Sequence, residues 1–497
     1  MTLAGRLAAF AGPLRFDDLP SDVVASVRLR ALDVLGIALA ASTHEIAPAV
    51  LGVHEAWAGD GPCTVIGSSR GATAPLAAML NGALAHGLDF DDTHAASITH
   101  ASAVVLPAVL AAGEGIGADG RTVVTAAAVG LEAIARIGMA AAGAFHERGF
   151  HATSVCGAPA AALAVGRVMG LGAPDLTNAL GVAGSFASGL QEFLADGSWV
   201  KRVHAGWAAH AGVVAAGLAQ HGFPGPATVL EGRFGLYRAF LGAERAAALD
   251  TAPFDTLGRE WETRRIGFKP YPCCHYLHAY LDCALALRAN IVDSHEPSRL
   301  NTVDGHEPSR LNTVDGHEPS RLNTVDGHEP SRSIDQIVAV ECRVPAGEVP
   351  VVCEPRAAKL RPRTAYEAQF SLPYSMAAAF LDGRVGLDTY DAKRLDDGAL
   401  LELAGRVTHV VDPDSRFPDG FPGWVRVRLA DGRVLEAREP EGRGGPRRPL
   451  PDAAIVEKFR ANAARALPEA AIATLEETVL RLDRLDDVRP LMRSLRT

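Results

Sequence analysis

The stretch His86-Gly87-Leu88-Asp89-Phe90-Asp91-Asp92-Thr93-His94, followed by Thr99-His100, gathers three carboxylates, two hydroxyls and three imidazoles into fifteen residues. Such a density of ionisable groups is hard to place on a solvated surface. The residues before it, Ala74 to Leu84, are small and apolar, with Thr73 in position to cap them, and they predict a helix that ends where the polar cluster begins. Loops held by rigid helices are where chemistry tends to be placed. The cluster itself has three readings. It can be a hydrogen-bonded loop whose aspartates cap neighbouring helices. It can be a metal site, although no His-x-x-x-His pair or further Asp/His ladder completes a coordination shell. It can carry acid–base chemistry without a metal.

Outward from this stretch, three further segments join helices to polar groups. Gly149-Phe150-His151-Ala152-Thr153-Ser154-Val155-Cys156-Gly157 opens an alanine-rich helix, with Ser154 read as its cap and His151 just outside its N-terminus. An anion is favoured there by the helix dipole and the free backbone N–H groups. Gly197-Ser198-Trp199-Val200-Lys201-Arg202-Val203-His204-Ala205-Gly206 opens a small-residue helix and brings two cations and an imidazole together. Gly267-Phe268-Lys269-Pro270-Tyr271-Pro272-Cys273-Cys274-His275-Tyr276-Leu277-His278 leads into a helix that carries Asp282.

In this order, and with Glu367-Ala368-Gln369-Phe370-Ser371-Leu372-Pro373-Tyr374 after them, these segments resemble the MmgE/PrpD (2-methylcitrate dehydratase) family over nearly the whole chain. That family includes dehydratases, cis-aconitate decarboxylases and an iminodisuccinate epimerase, metal-independent enzymes acting on small polycarboxylates. By position, the resemblance puts Asp89, Thr93, His100, His151, Lys201 and Lys269 in the active-site cleft, and one of Cys274, His275 and His278 completes it. The roles it implies are His100 or His151 as base, Asp89 as orienting partner or second acid, and Lys201 with Lys269 as carboxylate clamps. Thr93, His204, Cys274 and His275 are then substrate contacts, with His278 counted among the catalytic groups. Ala101 stands where the family usually has a proline.

The implied activity is a hydro-lyase that dehydrates a small hydroxy-polycarboxylate such as 2-methylcitrate, with no cofactor and no metal. The alternatives are decarboxylation of cis-aconitate, epimerisation of an iminodisuccinate-like acid, or a catalytically idle binding protein. Intact Asp89, His151 and Lys201 argue against idleness. A homodimer is implied by the resemblance.

Texture divides the chain. Residues 1–265 carry an alanine- and glycine-punctuated helical pattern. After that, Val338 to Val344 alternates like a strand, Ser371 to Leu381 reads as a helix, and Trp424 to Glu436 reads as a hairpin turning at Asp431-Gly432. The fold class is therefore mainly α with a second α+β domain. The tail from Asp452 reads as helical again; the resemblance implies that the helices of 451–497 pack back on a large all-helical domain (1–265), leaving a smaller α/β lid domain (266–450) between, with the cleft at the junction. His-Glu-Pro-Ser-Arg-Leu-Asn-Thr-Val-Asp-Gly occurs three times unchanged, at 295–305, 306–316 and 317–327, and a partial copy runs to Arg332. Pro and Asp-Gly in each copy break helices, so the array at 295–332 reads as a loose, disordered insertion in a tolerant loop.

With 48 Lys plus Arg against 58 Asp plus Glu, the net charge of −10 argues against nucleic-acid and membrane-surface partners. A polycarboxylate must then be drawn by a local cationic patch, to which Lys201, Arg202, Lys269, Arg264 and Arg265 are the candidate contributors. Seven scattered cysteines show no C-x-x-C pair, which suits reduced thiols in a cytoplasmic enzyme and lacks the spacing of an iron–sulfur site. No signal peptide is evident, and the most apolar segment, Val123 to Ala142, is interrupted by Glu132 and Arg136, which predicts no membrane span.

Overall fold

Small residues decide how the helices of this chain meet. In the computed structural model, which describes residues 1–57, 59, 61–292, 334–415, 417 and 420–496, the larger part is built on six helices. They are α1 (Ser21–Ala41), α2 (Ala74–His86), α3 (Ser102–Ile116), α4 (Gly120–Met139), α5 (Ala152–Val168) and α6 (Val200–Gln220). The tandem array at 295–332 lies outside the described residues. α6 lies against both α2 and α5. A β-carbon added at Gly82 of α2 would stand 2.7 Å from the Gly206 Cα, and one added at Gly206 would stand 2.0 Å from the Met79 carbonyl oxygen. The two backbones therefore touch through glycine, and this contact fixes where the first turn of α6 sits relative to the end of α2.

The helix predicted over Ala74–Leu84 runs on to His86. Thr73 holds its cap position in extended backbone but makes no side-chain cap bond. Ser154 is not the cap of α5: that position belongs to His151, and Ser154 lies inside the first turn with its hydroxyl 3.4 Å from the His204 carbonyl. Glu132 and Arg136 do not keep the most apolar segment below spanning length and apolarity, as the sequence suggested. α4 is long and apolar enough, by length and composition, to cross a bilayer, yet most of it is buried inside the fold. Its Glu132 and Arg136 pair at 3.0 Å, and the Glu132 carboxylate also accepts backbone bonds from Glu262 and Thr263. Those bonds are what make two charges tolerable in a buried helix.

A second hydrophobic cluster gathers α7 (His278–Val292), β1 (Ile337–Pro345), α8 (Leu372–Asp382), β2 (Val407–Asp412), β3 (Gly423–Leu429) and β4 (Val434–Glu439). The strands run in the order β2-β1-β3-β4. β1 pairs parallel with β2 and antiparallel with β3, and β3 pairs antiparallel with β4. The predicted strand, helix and hairpin are all present, with Gly432 at φ 87° in the turn. Along β3, Val425, Val427 and Leu429 are buried while Arg426 and Arg428 are exposed, so one face is free to take α7. The described residues are thus mainly helical, with a four-stranded mixed sheet and two short two-stranded ladders.

Two helices of the C-terminal tail, α9 (Asp452–Ala463) and α10 (Glu469–Leu480), pack on α1. Phe459, Ile472, Leu475 and Val479 join the same core as Leu32 and Leu35. A β-carbon at Gly36 would stand 2.8 Å from the Phe459 ring, so α1 and α9 also meet at a glycine. Finally, Thr93–His94 pairs antiparallel with Ile266–Gly267. This two-residue ladder ties the polar stretch after α2 to the segment that carries Lys269.

Candidate active site

A cavity of about 430 Å³ opens between the two clusters and is lined by residues of both. The polar stretch enters it through a turn in which Asp89 has φ 51°. Ile98, at φ 52°, is the other non-glycine residue with positive φ among the described residues, and both line the cavity. Aspartate tolerates this backbone better than most residues and isoleucine poorly, so the loop is held by what surrounds it.

The three aspartates have separate duties. Asp92 faces away from the cavity: it pairs with buried Arg30 at 2.6 Å and accepts from the Ser102 backbone N–H and hydroxyl. Arg30 in turn donates to the Thr263 and Ile266 carbonyls. Asp91 accepts from His86 Nδ1 at 2.8 Å and lies 3.5 Å from His100 Nδ1, so it orients two imidazoles. Asp89 reaches the cavity. Its Oδ1 accepts from Lys201 Nζ at 2.9 Å and Lys269 Nζ at 2.8 Å, and Lys269 also donates to its carbonyl at 3.0 Å. Burial would raise the Asp89 pKa, but the two ammonium groups outweigh it and hold the carboxyl well below its usual range. One carboxylate oxygen thus carries both cations, while Oδ2 has no hydrogen-bond partner.

Four imidazoles, those of His100, His146, His151 and His275, reach the wall. His100 places Nδ1 2.9 Å from the Asp92 carbonyl, which makes Nδ1 the donor and leaves the Nε2 lone pair free. His151 Nδ1 lies 3.1 Å from His204 Nδ1. All four are held neutral. Burial drives His100 and His151 well below the ordinary imidazole range, Asp91 opposing it at His100 and His204 adding to it at His151. Burial followed by Lys201 lowers His146 to about 4, and burial followed by Lys269 lowers His275 to about 3. The Cys274 thiol is pushed up to about 11 by burial, then by the Asp89 charge, so it stands protonated rather than as a nucleophile.

Of the residues proposed from the sequence, Asp89, Thr93, His100, His151, Lys201, Lys269, Cys274 and His275 line the cavity. His278 and His204 do not. His278 sits behind His275, their rings stacked at 5.0 Å, with Nε2 3.3 Å from the Cys273 carbonyl. His204 stands behind His151. Arg202, Arg264 and Arg265 leave the expected cationic patch: Arg202 lies between the Trp199 and Tyr366 rings and pairs with Glu45, while the other two pair with Asp22 and Glu262. His146 was missed. It lies on the short helix Ala144–Glu147, and its one signal was proximity to Phe150-His151. Gln369 has a part that the sequence does not signal: its amide donates to the Leu88 and Pro272 carbonyls and holds the polar loop against the second cluster.

Among the described residues, His86, Asp91 and His100 bring ligand-type atoms within 4.8 Å of one another. Their geometry fits hydrogen bonding better than an ion. The 2.8 Å from His86 Nδ1 to Asp91 is an N–H···O distance, whereas two ligands bound at ~2.0–2.1 Å to one tetrahedral ion stand about 3.3 Å apart.

A buried carboxylate bridging two ammonium groups thus stands beside four imidazoles in one cavity wall, the concentration of titratable groups expected of an enzyme cleft. The chain belongs to the MmgE/PrpD family: the MmgE/PrpD N-terminal domain matches residues 5–248 and the C-terminal domain residues 271–484. It is 28% identical to a cis-aconitate decarboxylase of Aspergillus terreus over 99% of this chain and 96% of that protein. It is likewise 28% identical to the cis-aconitate decarboxylase-like protein oryM of Aspergillus oryzae, over 96% of this chain and 94% of that protein. The cis-aconitate decarboxylase of Mus musculus is 26% identical over 100% of this chain and 94% of its own length.

Proposed function

We propose that this chain is a metal-independent lyase of small polycarboxylates and that its reaction is the decarboxylation of a cis-aconitate-type acid. The observation that carries this reading is the convergence of Lys201 and Lys269 on one oxygen of Asp89 at the cavity wall. A substrate carboxylate can take the place of Asp89 as partner to either ammonium without leaving a charge unpaired. The full-length similarity to proteins named cis-aconitate decarboxylase supports the choice of reaction.

The step balances as follows. An imidazole gives a proton to the vinylic carbon, the bond from the neighbouring methylene to its carboxylate breaks, and that electron pair forms the new carbon–carbon double bond. Carbon dioxide leaves, and a trianion plus one proton becomes a dianion. The proton donor is an imidazole that is neutral in the empty site. A bound trianion raises its basicity, so it enters the reaction charged. The lysines hold the remaining carboxylates and the charge that develops between them.

Dehydration of a hydroxy-acid such as 2-methylcitrate is the second reading, favoured by the resting protonation of the site. Neutral imidazoles are the free-base form that removes a proton beside a carboxylate. Incubation of the purified protein with cis-aconitate, citrate and 2-methylcitrate separates the two. Carbon dioxide release from cis-aconitate is expected, and alkene formation from the hydroxy-acids without carbon dioxide would move the assignment to a dehydratase. Inertness toward all three would overturn the polycarboxylate reading.

A further inference from the structure

His204 stands between two cavities. On one side its Nδ1 lies 3.1 Å from Nδ1 of His151, which lines the candidate active site. On the other it lines a second cavity of about 890 Å³, walled by α2, α6 and the segment around Gly189. That cavity opens to solvent, since Leu190, Val200 and Trp207 on its wall are 61%, 46% and 43% exposed. The partition is thin at Gly189. Its backbone has φ 117°, its carbonyl accepts from the His151 backbone N–H at 2.9 Å, and an added β-carbon would stand 2.7 Å from the Ser154 Cβ and 3.5 Å from His204 Nδ1. Glycine is what lets this segment close down on the imidazole pair. Phe193 meets both rings edge-on, 6.5 Å from His151 and 6.1 Å from His204, and so fixes their approach.

Two imidazoles that meet through their Nδ1 atoms share one proton, so one ring is the Nδ1–H tautomer and the other accepts with its lone pair. Decarboxylation as balanced above consumes one proton per turnover, and an acid in the active-site cavity displaces the water nearest His151. Resting on that reading, we propose that His204 relays a proton from solvent in the second cavity to His151 while the acid is bound. His204 Nε2, the nitrogen not engaged with His151, takes a proton from a solvent or buffer acid, and the N–H bond at its Nδ1 breaks as one forms at Nδ1 of His151. His151, now an imidazolium, gives its Nε2 proton to the vinylic carbon and returns to neutral. One proton has then crossed from solvent to product, and water entering the emptied cavity resets the two tautomers. His204 touches no substrate and acts through His151.

The test measures carbon dioxide release from cis-aconitate by wild type, His204→Asn, His204→Ala and His151→Asn, with and without imidazole in the buffer. His204→Asn keeps a hydrogen-bonding atom near the Nδ1 position but cannot pass a proton, and His204→Ala leaves a space that opens on the second cavity. The expected result is a kcat lowered on the order of 10²-fold in both His204 variants with KM unchanged. Added imidazole should restore kcat in His204→Ala and leave wild type and His151→Asn as they were. Wild-type kcat in His204→Asn would overturn the relay and leave the lyase assignment standing. So would a loss in His204→Ala that imidazole does not restore, which would make His204 a packing partner of His151 alone. Carbon dioxide release by no sample, wild type included, would instead remove the decarboxylase reading, and the relay with it.

Discussion

Asp89 is the residue on which the site turns, because its Oδ1 alone answers two ammonium groups and its backbone is left-handed. Lys201→Ala and His151→Asn are each expected to keep the fold and to lower kcat on the order of 10²–10⁴-fold, roughly 3–5 kcal/mol of transition-state stabilisation. Steady-state rates beside circular dichroism check this, and near-wild-type kcat in both variants would take the cavity out of the mechanism. Much of this wall was legible in the sequence because its members flank helix ends, where motif order survives without knowledge of packing. The misplaced residues failed for a geometric reason. His275 and His278 are three apart on one helical turn, so both are carried to the same side, and only packing decides that His275 fronts the cavity while His278 stacks behind it. Arg202 neighbours Lys201 but points off another face of α6, toward Glu45. His146 sits on a helix of four residues, too short for any periodicity to reveal.

At the scale of elements, α9 controls the polar loop from a distance in sequence. Lys458 on α9 pairs with Asp33 on α1 at 2.8 Å, donates to the Phe90 carbonyl at 2.8 Å, and lies 3.8 Å over the Phe90 ring. Phe90 is the residue after Asp89. Lys458→Met is expected to cost about 3–5 kcal/mol by leaving Asp33 buried without its partner. Lys458→Met combined with Asp33→Leu should recover most of that stability but not kcat, since the Phe90 carbonyl still lacks its donor. Denaturant midpoints and kcat on the three variants decide it, and a double variant with wild-type kcat would reduce Lys458 to a structural role. Nothing local announced this contact. Periodicity predicted the tail helix, as it predicted β1, α8 and the hairpin, because burial on one face imposes a pattern of 3.6 or 2 residues. The parallel pairing of β1 with β2 and the first residue of α5 were not visible, since register and caps depend on partners far along the chain.

For the whole molecule, the neutral imidazoles tie stability to pH. Burial lowers His146 and His204 to about 4 and His275 to about 3, against ~6.5 in an unfolded chain. Below pH ~6.5 the unfolded state therefore binds protons that the folded state refuses, and stability present above that pH is lost as pH falls toward about 4. The thermal midpoint is expected to drop by roughly 5 °C or more between pH 7 and pH 4.5, and a midpoint that rose on acidification would contradict the neutral assignment. On the polycarboxylate reading, a bound trianion raises the basicity of the cavity's imidazoles, so that one of them takes up the proton it then donates. Whether this cavity protonates a polycarboxylate carbon as carbon dioxide leaves is decided by NMR of cis-aconitate turnover in heavy water, wild type beside Lys201→Ala. The expected result is one carbon dioxide per acid consumed, a product with a terminal alkene and a single deuteron on the former vinylic carbon, and a rate at least a hundred-fold lower in the variant. Deuterium exchange without loss of carbon dioxide, or equal rates in the two proteins, would contradict it.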